Sequence, residues 1–132
     1  MPSLLLAAFL MAHAVIHAGF LSPRPATAVG PAWPFALDRS WLLKPLGVSA
    51  QVGKALGTAL VAVLVVAYGA ASLAVLGVLG DAAFSAGVVG GSAASLLLLG
   101  LFFHPWLILG AGLDVLLLVG VLVAGWRLEG LP

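Results

Sequence analysis

Four long apolar segments restrict the fold of this chain more than any other feature. They cover residues 4–21, 55–79, 82–103 and 106–126. A helix rises about 1.5 Å per residue, so each segment is long enough to cross a bilayer core of about 30 Å. In lipid, helices of this length satisfy every backbone polar group within one segment. The sequence therefore predicts an all-α fold, an integral membrane bundle of four transmembrane helices.

Composition supports a membrane environment. Hydrophobic residues make up 64% of the 132 residues and charged residues 7%, whereas soluble domains average about 25% charged residues. A soluble domain of this size has too much surface to hide so much apolar area. The length predicts a single transmembrane domain covering residues 1–132.

The connections predict the topology. Two are very short, so consecutive helices should run antiparallel, which gives an up-down-up-down order. The remaining connection, between the first and second segments, covers residues 22–53 and is long and rich in proline and tryptophan (Pro23, Pro25, Pro31, Pro34, Pro45, Trp33, Trp41). We expect it to lie in the membrane interface. Phe35–Lys44 could form a short helix there, and a cap over the bundle is the alternative role.

The distribution of Lys and Arg predicts the orientation. The long connection carries Arg24, Arg39, Lys44 and Lys54, whereas the opposite side carries Arg127 and the terminal amine. Loops rich in Lys and Arg remain in the cytoplasm. We therefore expect the 22–53 loop to be cytoplasmic and both termini outside. The positively charged start of a signal peptide is missing.

Several functional classes are excluded by composition. The chain has no cysteine, which rules out disulfides, thiolate metal sites and quinone-linked thiol chemistry of the vitamin K epoxide reductase type. The net charge is +1 without a basic run, so no nucleic-acid partner is expected. No phosphate loop, paired carboxylate dyad, nucleotide fingerprint or Ser-His-Asp set is visible. These absences argue against hydrolase and transferase activity.

The candidate site is a set of polar residues inside the apolar segments. His13 and His17 are one helical turn apart on one face of the first segment. Asp114 is near the middle of the fourth segment, at a depth similar to that of His13. A carboxylate there costs about 3 kcal/mol unless it is paired or protonated. We predict a contact of Asp114 with His13 or His17, and Tyr68 is a further hydrogen-bond partner.

Three interpretations of this cluster remain open. The first is a buried His–Asp contact that fixes helix register. The second is a proton or ion relay, because ionisable groups inside membranes often mark transport paths and histidine titrates near physiological pH. The third is a metal site formed by His13, His17 and Asp114, or a histidine ligand to haem iron.

Small residues predict how the helices pack. Gly87, Gly91 and Ser95 recur every four residues on one face of the third segment, and such patterns bring membrane helices close together. We expect the second and third segments to form the closest pair. The first and fourth should be neighbours in a four-helix ring, with Gly110 allowing their close approach. The serines at 72, 85, 92 and 95 could each bond a carbonyl one turn back.

Polar residues at the helix ends have simpler predicted roles. Asp81 is expected to cap the third helix. His104 should lie in the interface, solvated or capping carbonyls. Asp38 with Arg39, and Arg127 with Glu129, are interpreted as surface charge.

The opening sequence His13-Ala-Val-Ile-His17-Ala-Gly-Phe20 resembles small bacterial membrane proteins of four helices, DoxX-like in size and layout. This resemblance implies the bacterial inner membrane as the location but no particular activity. Small multidrug transporters carry a glutamate in the first helix, and this chain has none there. Fluoride channels are similar in size, but the matching Asn and Phe constellation is missing.

The sequence thus predicts a non-enzymatic membrane protein that acts as a subunit of a larger membrane complex or as a homo-oligomer, without a cofactor. A small proton-coupled transporter or channel is the first alternative. A haem- or metal-binding membrane redox protein is the second.

Overall fold

The computed structural model describes residues 2–26 and 33–130. Over these ranges the chain forms four α-helices and no strand: α1 Pro2–Ala18, α2 Ala50–Val75, α3 Asp81–Leu101 and α4 Ile108–Leu122. Short 3₁₀ turns follow α1 at Gly19–Leu21 and precede α4 at Pro105–Leu107. Together with these turns, each helix is long and apolar enough to cross a membrane. The predicted all-α class is confirmed.

The helix bounds differ from the predicted segments because local hydrogen bonds, not hydropathy alone, decide where a helix begins and ends. α2 begins at Ala50 rather than at residue 55, since the Ser49 hydroxyl accepts a hydrogen bond from the Val52 N–H and caps the helix. It ends at Val75, because Gly77 adopts a left-handed φ of 78°, as a helix-ending glycine does. The short connection to α3 therefore begins near this glycine.

α4 also ends earlier than the fourth apolar segment. Gly125 has a left-handed φ of 69°, and the Trp126 N–H donates back to the Gly120 carbonyl. The Trp126 ring then lies on Gly120, where a Cβ would collide with it. The chain therefore turns before residue 126, and Trp126 packs against α4 instead of extending it.

Asp81 does not cap α3, in contrast to the prediction. The N-cap is Gly80, and Asp81 is the first helical residue. Its Oδ1 accepts from the Leu128 N–H at 2.8 Å, and its Oδ2 lies 3.6 Å from Arg127 Nε. The carboxylate thus ties the segment after α4 to the start of α3, where negative charge is favourable.

Residues 33–49 of the long connection fold as turns against the helices rather than as a helix over Phe35–Lys44. The Ser40 hydroxyl accepts from the Leu43 N–H and donates to the Leu101 carbonyl, a local bonding pattern that competes with helix formation. Trp41 Nε1 donates to the Gly100 carbonyl at 2.8 Å. The connection therefore covers carbonyls at the end of α3 that a helix leaves unpaired. Pro31 lies outside the described residues.

Consecutive helices make the main packing contacts, and the most extensive is between α2 and α3. A Cβ at Gly87 would lie 2.5 Å from the Ala67 carbonyl oxygen, and one at Gly91 would lie 3.0 Å from the Tyr68 ring. These two positions therefore require glycine for the observed approach of α3 to α2. Apolar side chains around them form one core that includes Leu10, Val61, Leu64, Phe84, Val88 and Leu98.

Candidate functional site

Asp114 on α4 is fully buried and accepts a hydrogen bond from each of the other three helices. Its Oδ1 accepts from His13 Nε2 of α1 at 2.9 Å and from the Tyr68 hydroxyl of α2 at 2.5 Å. Its Oδ2 accepts from the Ser95 hydroxyl of α3 at 2.5 Å. The carboxylate is therefore the point at which all four helices are joined by hydrogen bonds.

The two histidines are held by the periodicity of α1. His13 and His17 are one turn apart, so both point to the same side of the helix. Each is less than 5% exposed. His17 Nδ1 donates to the His13 carbonyl at 2.9 Å, and His17 Nε2 lies 2.7 Å from Ser95 Oγ. Only His13 touches Asp114; His17 reaches it through Ser95.

Tyr68 and Ser92 complete the group on the α2–α3 side. Their hydroxyl oxygens are 2.9 Å apart. Since the Tyr68 proton is given to Asp114, the Ser92 hydroxyl donates to Tyr68. We call the six side chains the Asp114 cluster: His13, His17, Tyr68, Ser92, Ser95 and Asp114.

The predicted contact between His13 and Asp114 is present, and Tyr68 is the predicted further partner. Sequence reasoning missed Ser92 and Ser95 as members, because it assigned the serines to carbonyls of their own helices. Instead Ser72 donates to the Ala7 carbonyl of α1, and Ser85 accepts from Arg127. The available signal was that Ser92 and Ser95 are three residues apart and so share a helix face.

The predicted close approach of α1 and α4 is not observed. Their backbones make no extensive contact, and the two helices meet through side chains of the cluster. A Cβ at Gly110 would lie 3.6 Å from Leu99 and 4.0 Å from the His17 ring, so this glycine is not at a crowded crossing. It lines a pocket of about 200 Å³ instead. The side chains of His13 and Asp114 meet across the space that backbone packing was expected to close.

The pocket lies between α1 and α4 beside both histidines. Its wall is mainly apolar and includes Phe20, Phe35, Leu99 and Leu113, and its rim includes Ile16 and Trp106. Both rim side chains are more than half exposed. On the other side, the Phe9 ring stacks on His13 with centroids 5.9 Å apart.

The hydrogen bonds offset the cost of burying a carboxylate. That cost is about 3 kcal/mol for the middle of a membrane helix. A hydrogen bond to a charged group contributes about 1.5–3 kcal/mol, and Asp114 accepts three. The cluster can therefore be stable in lipid without any further ligand.

Ser95, His17 and Asp114 are in contact, although no such set was recognised in the sequence. Their order is not that of a hydrolase triad, in which histidine lies between the nucleophile and the carboxylate. Here the serine is between the other two. Ser95 is also fully buried, so its hydroxyl is inaccessible to a substrate.

A metal ion would have to replace the existing hydrogen bonds. Ligand atoms of His13, His17 and Asp114 lie within 4.8 Å of one another, and two histidines with a carboxylate can bind a transition metal. However, His13 Nε2 is already 2.9 Å from Asp114, and both nitrogens of His17 are bonded. Haem ligation would break the same bonds.

His104 lies outside the cluster. Its Nδ1 accepts from the Trp106 N–H at 3.2 Å, and the two rings are perpendicular with centroids 5.8 Å apart. It therefore caps the short turn before α4 by accepting from an N–H group.

Comparison of this chain with protein-family models, curated proteins and solved structures finds no match. The likeness of His13–Phe20 to DoxX-like proteins thus stays a prediction. By its fold, the described part of the chain is an all-helical protein with four helices long and apolar enough to span a membrane.

Proposed function

We propose that this chain is an up-down-up-down integral membrane protein in which the Asp114 cluster fixes the arrangement of the four helices. The observation that carries the proposal is that Asp114 accepts one hydrogen bond from each of α1, α2 and α3. A polar group that is satisfied only in one arrangement disfavours all others, as a buried polar residue does in a coiled coil. The role is structural and not enzymatic.

In this proposal the 22–53 loop is cytoplasmic and both termini are outside. Arg24, Arg39, Lys44 and Lys54 support that orientation. The protein acts as a homo-oligomer or as a subunit of a larger membrane complex, because side chains on all four helices remain exposed and can contact lipid or another chain. A bacterial inner membrane is the expected location.

The test compares Asp114→Asn with the wild type. The amide side chain of this variant retains an oxygen that accepts from His13 and Tyr68, so we expect insertion to persist and the thermal unfolding midpoint in detergent to change. Proton flux in proteoliposomes, followed with an internal pH dye, should be unchanged. Asp38→Asn, an exposed position, is the control. Loss of a wild-type proton flux in Asp114→Asn would contradict a purely structural role.

The alternative function is proton-coupled transport, and the pocket beside His13 and His17 favours it. Space next to ionisable side chains is what a coupled pathway requires. Because four helices leave little room for a pathway, this alternative expects a homodimer. A strictly monomeric protein in detergent, together with no proton flux in liposomes, would eliminate it.

The third proposal, a metal or haem centre, has a direct test. Purified protein should show stoichiometric metal or a Soret band if the His13, His17 and Asp114 ligand atoms bind one. Elemental analysis and one absorption spectrum decide this question.

A further inference from the structure

The contacts around His17 and Ser95 determine how many protons the Asp114 cluster holds. The His13 carbonyl can only accept, so His17 Nδ1, 2.9 Å away, carries a proton. His17 Nε2 and Asp114 Oδ2 both lie within hydrogen-bond distance of Ser95 Oγ, at 2.7 and 2.5 Å. Each of these two contacts needs a proton between its atoms, but Ser95 has only one.

We infer that the chain Asp114–Ser95–His17 is a proton-binding site that holds one proton more than a carboxylate and a neutral imidazole would carry. Without this extra proton, one of the two contacts would place unshared electron pairs face to face inside the protein. The inference rests on the proposed membrane bundle and goes beyond its structural role, because a contact that only fixes helix register needs no movable proton.

The extra proton has two locations that differ by a shift through Ser95. In the first, His17 Nε2–H donates to Ser95 Oγ and the Ser95 hydroxyl donates to the Asp114 carboxylate. In the second, the carboxylic acid O–H of Asp114 donates to Ser95 Oγ and the Ser95 hydroxyl donates to neutral His17. Two O–H or N–H bonds break and two form, so protons balance, and the chain has no net charge in either arrangement.

The other titratable side chains that face this chain determine which oxygen takes the proton. His13 from α1 and Tyr68 from α2 both donate to Asp114 Oδ1, whereas α3 contributes only the hydroxyls of Ser92 and Ser95. Oδ1 is therefore an acceptor in both arrangements, and only Oδ2 can carry the proton. Ser95 is the positioning residue through which that proton moves.

The experiment uses full-length protein in detergent, labelled with ¹⁵N-histidine and with ¹³C at the aspartate carboxyl carbon. At pH 8 the NMR shifts give the protonated fractions of His17 Nδ1, of His17 Nε2 and of the Asp114 carboxyl group, assigned with His17→Gln and Asp114→Asn. We expect Nδ1 to be fully protonated and the fractions at Nε2 and at the Asp114 carboxyl group to add to one from pH 6 to pH 9, whereas an unprotonated Nδ1 would overturn the inference. A wild-type sum near zero at pH 8 would overturn the inference.

A matched pair of serine variants tests the role of Ser95. Ser92→Ala removes an equally buried hydroxyl of α3 that is bonded to Tyr68 but is not in the proton chain, so the sum should stay at one. Ser95→Ala removes the bridge, and the sum should fall toward zero by pH 9. If Ser95→Ala holds the proton as tightly as the wild type, the shift through Ser95 is wrong.

These outcomes are separate from those of the proposed function. The NMR measurement counts protons in a folded protein, whereas liposome flux reports transport and the unfolding midpoint reports the structural role. If Ser95→Ala does not fold, the wild-type sum and Ser92→Ala still decide the inference.

Discussion

The α2–α3 interface and the α1–α4 side of the protein hold together in different ways. At the first, glycines at 87 and 91 bring two backbones into direct contact. At the second, the backbones stay apart, a pocket of about 200 Å³ remains, and the His13–Asp114 hydrogen bond joins the helices. In the proposed membrane bundle, lipid would provide little hydrophobic drive between helices, so helices that do not pack closely would depend on polar contacts.

The largest expected effect is on the α1–α4 side, where a substitution removes the shared acceptor Asp114. Asp114→Ala leaves the donors of His13, Tyr68 and Ser95 without their acceptor, and each buried unsatisfied donor costs about 1–3 kcal/mol. The free energy of unfolding in detergent should fall by about 3 kcal/mol or more. Val115→Ala, at a half-exposed neighbouring position, should change it little. Equal losses for both variants would show that the cluster does not hold the helices.

The next largest effect is at the α2–α3 interface, where a substitution disturbs the close helix packing. Gly87→Ala places a methyl group 2.5 Å from the Ala67 carbonyl oxygen, which forces α2 and α3 apart at a cost of about 1–3 kcal/mol. Thermal unfolding in detergent measures it. Gly90→Ala is the control on the same helix, since its nearest atom would be 4.0 Å away. Unchanged stability of Gly87→Ala would mean that the interface is looser than described.

A smaller effect tests the α1–α2 contact between these two regions. Ser72→Ala removes the hydrogen bond from its hydroxyl to the Ala7 carbonyl, 3.0 Å away. We expect a loss of about 1 kcal/mol in the free energy of unfolding. Thr58→Ala on the same helix, at an exposed position, should have a smaller effect. A larger loss for Thr58→Ala than for Ser72→Ala would show that the Ser72 hydrogen bond does not stabilise the α1–α2 contact.

The smallest expected effect is on the α1–α4 side, where a glycine substitution should not lower the unfolding midpoint. Gly110→Ala adds a methyl group at ordinary contact distances from Leu99 and His17 and improves helix propensity by up to about 1 kcal/mol. The unfolding midpoint should stay the same or rise, opposite to the result for Gly87→Ala. A fall of similar size at both glycines would show that α1 and α4 are packed as tightly as α2 and α3.

The fold was predictable because hydropathy and length decide it. The four apolar segments required helices, and the small-residue stripe indicated the α2–α3 contact. Helix ends were less predictable, since the Ser49 cap and the left-handed Gly77 and Gly125 depend on single hydrogen bonds and backbone angles.

The candidate site was predictable only in part. A carboxylate in lipid needs a partner, and this requirement alone led from Asp114 to His13 and Tyr68. It could not reveal that Ser95 stands between Asp114 and His17, because that position depends on the rotation of α3 about its axis. It also predicted a close α1–α4 crossing, whereas the backbones of these helices make no extensive contact and the His13 and Asp114 side chains meet between them.

The position of Asp114 in the sequence has a consequence for assembly. A ribosome makes α1, α2 and α3 before α4, so in the proposed membrane bundle the donors of His13, Tyr68 and Ser95 would enter the bilayer before the acceptor that they share. The carboxylate, which is costly to bury in a bilayer, would then be inserted after all three of its donors.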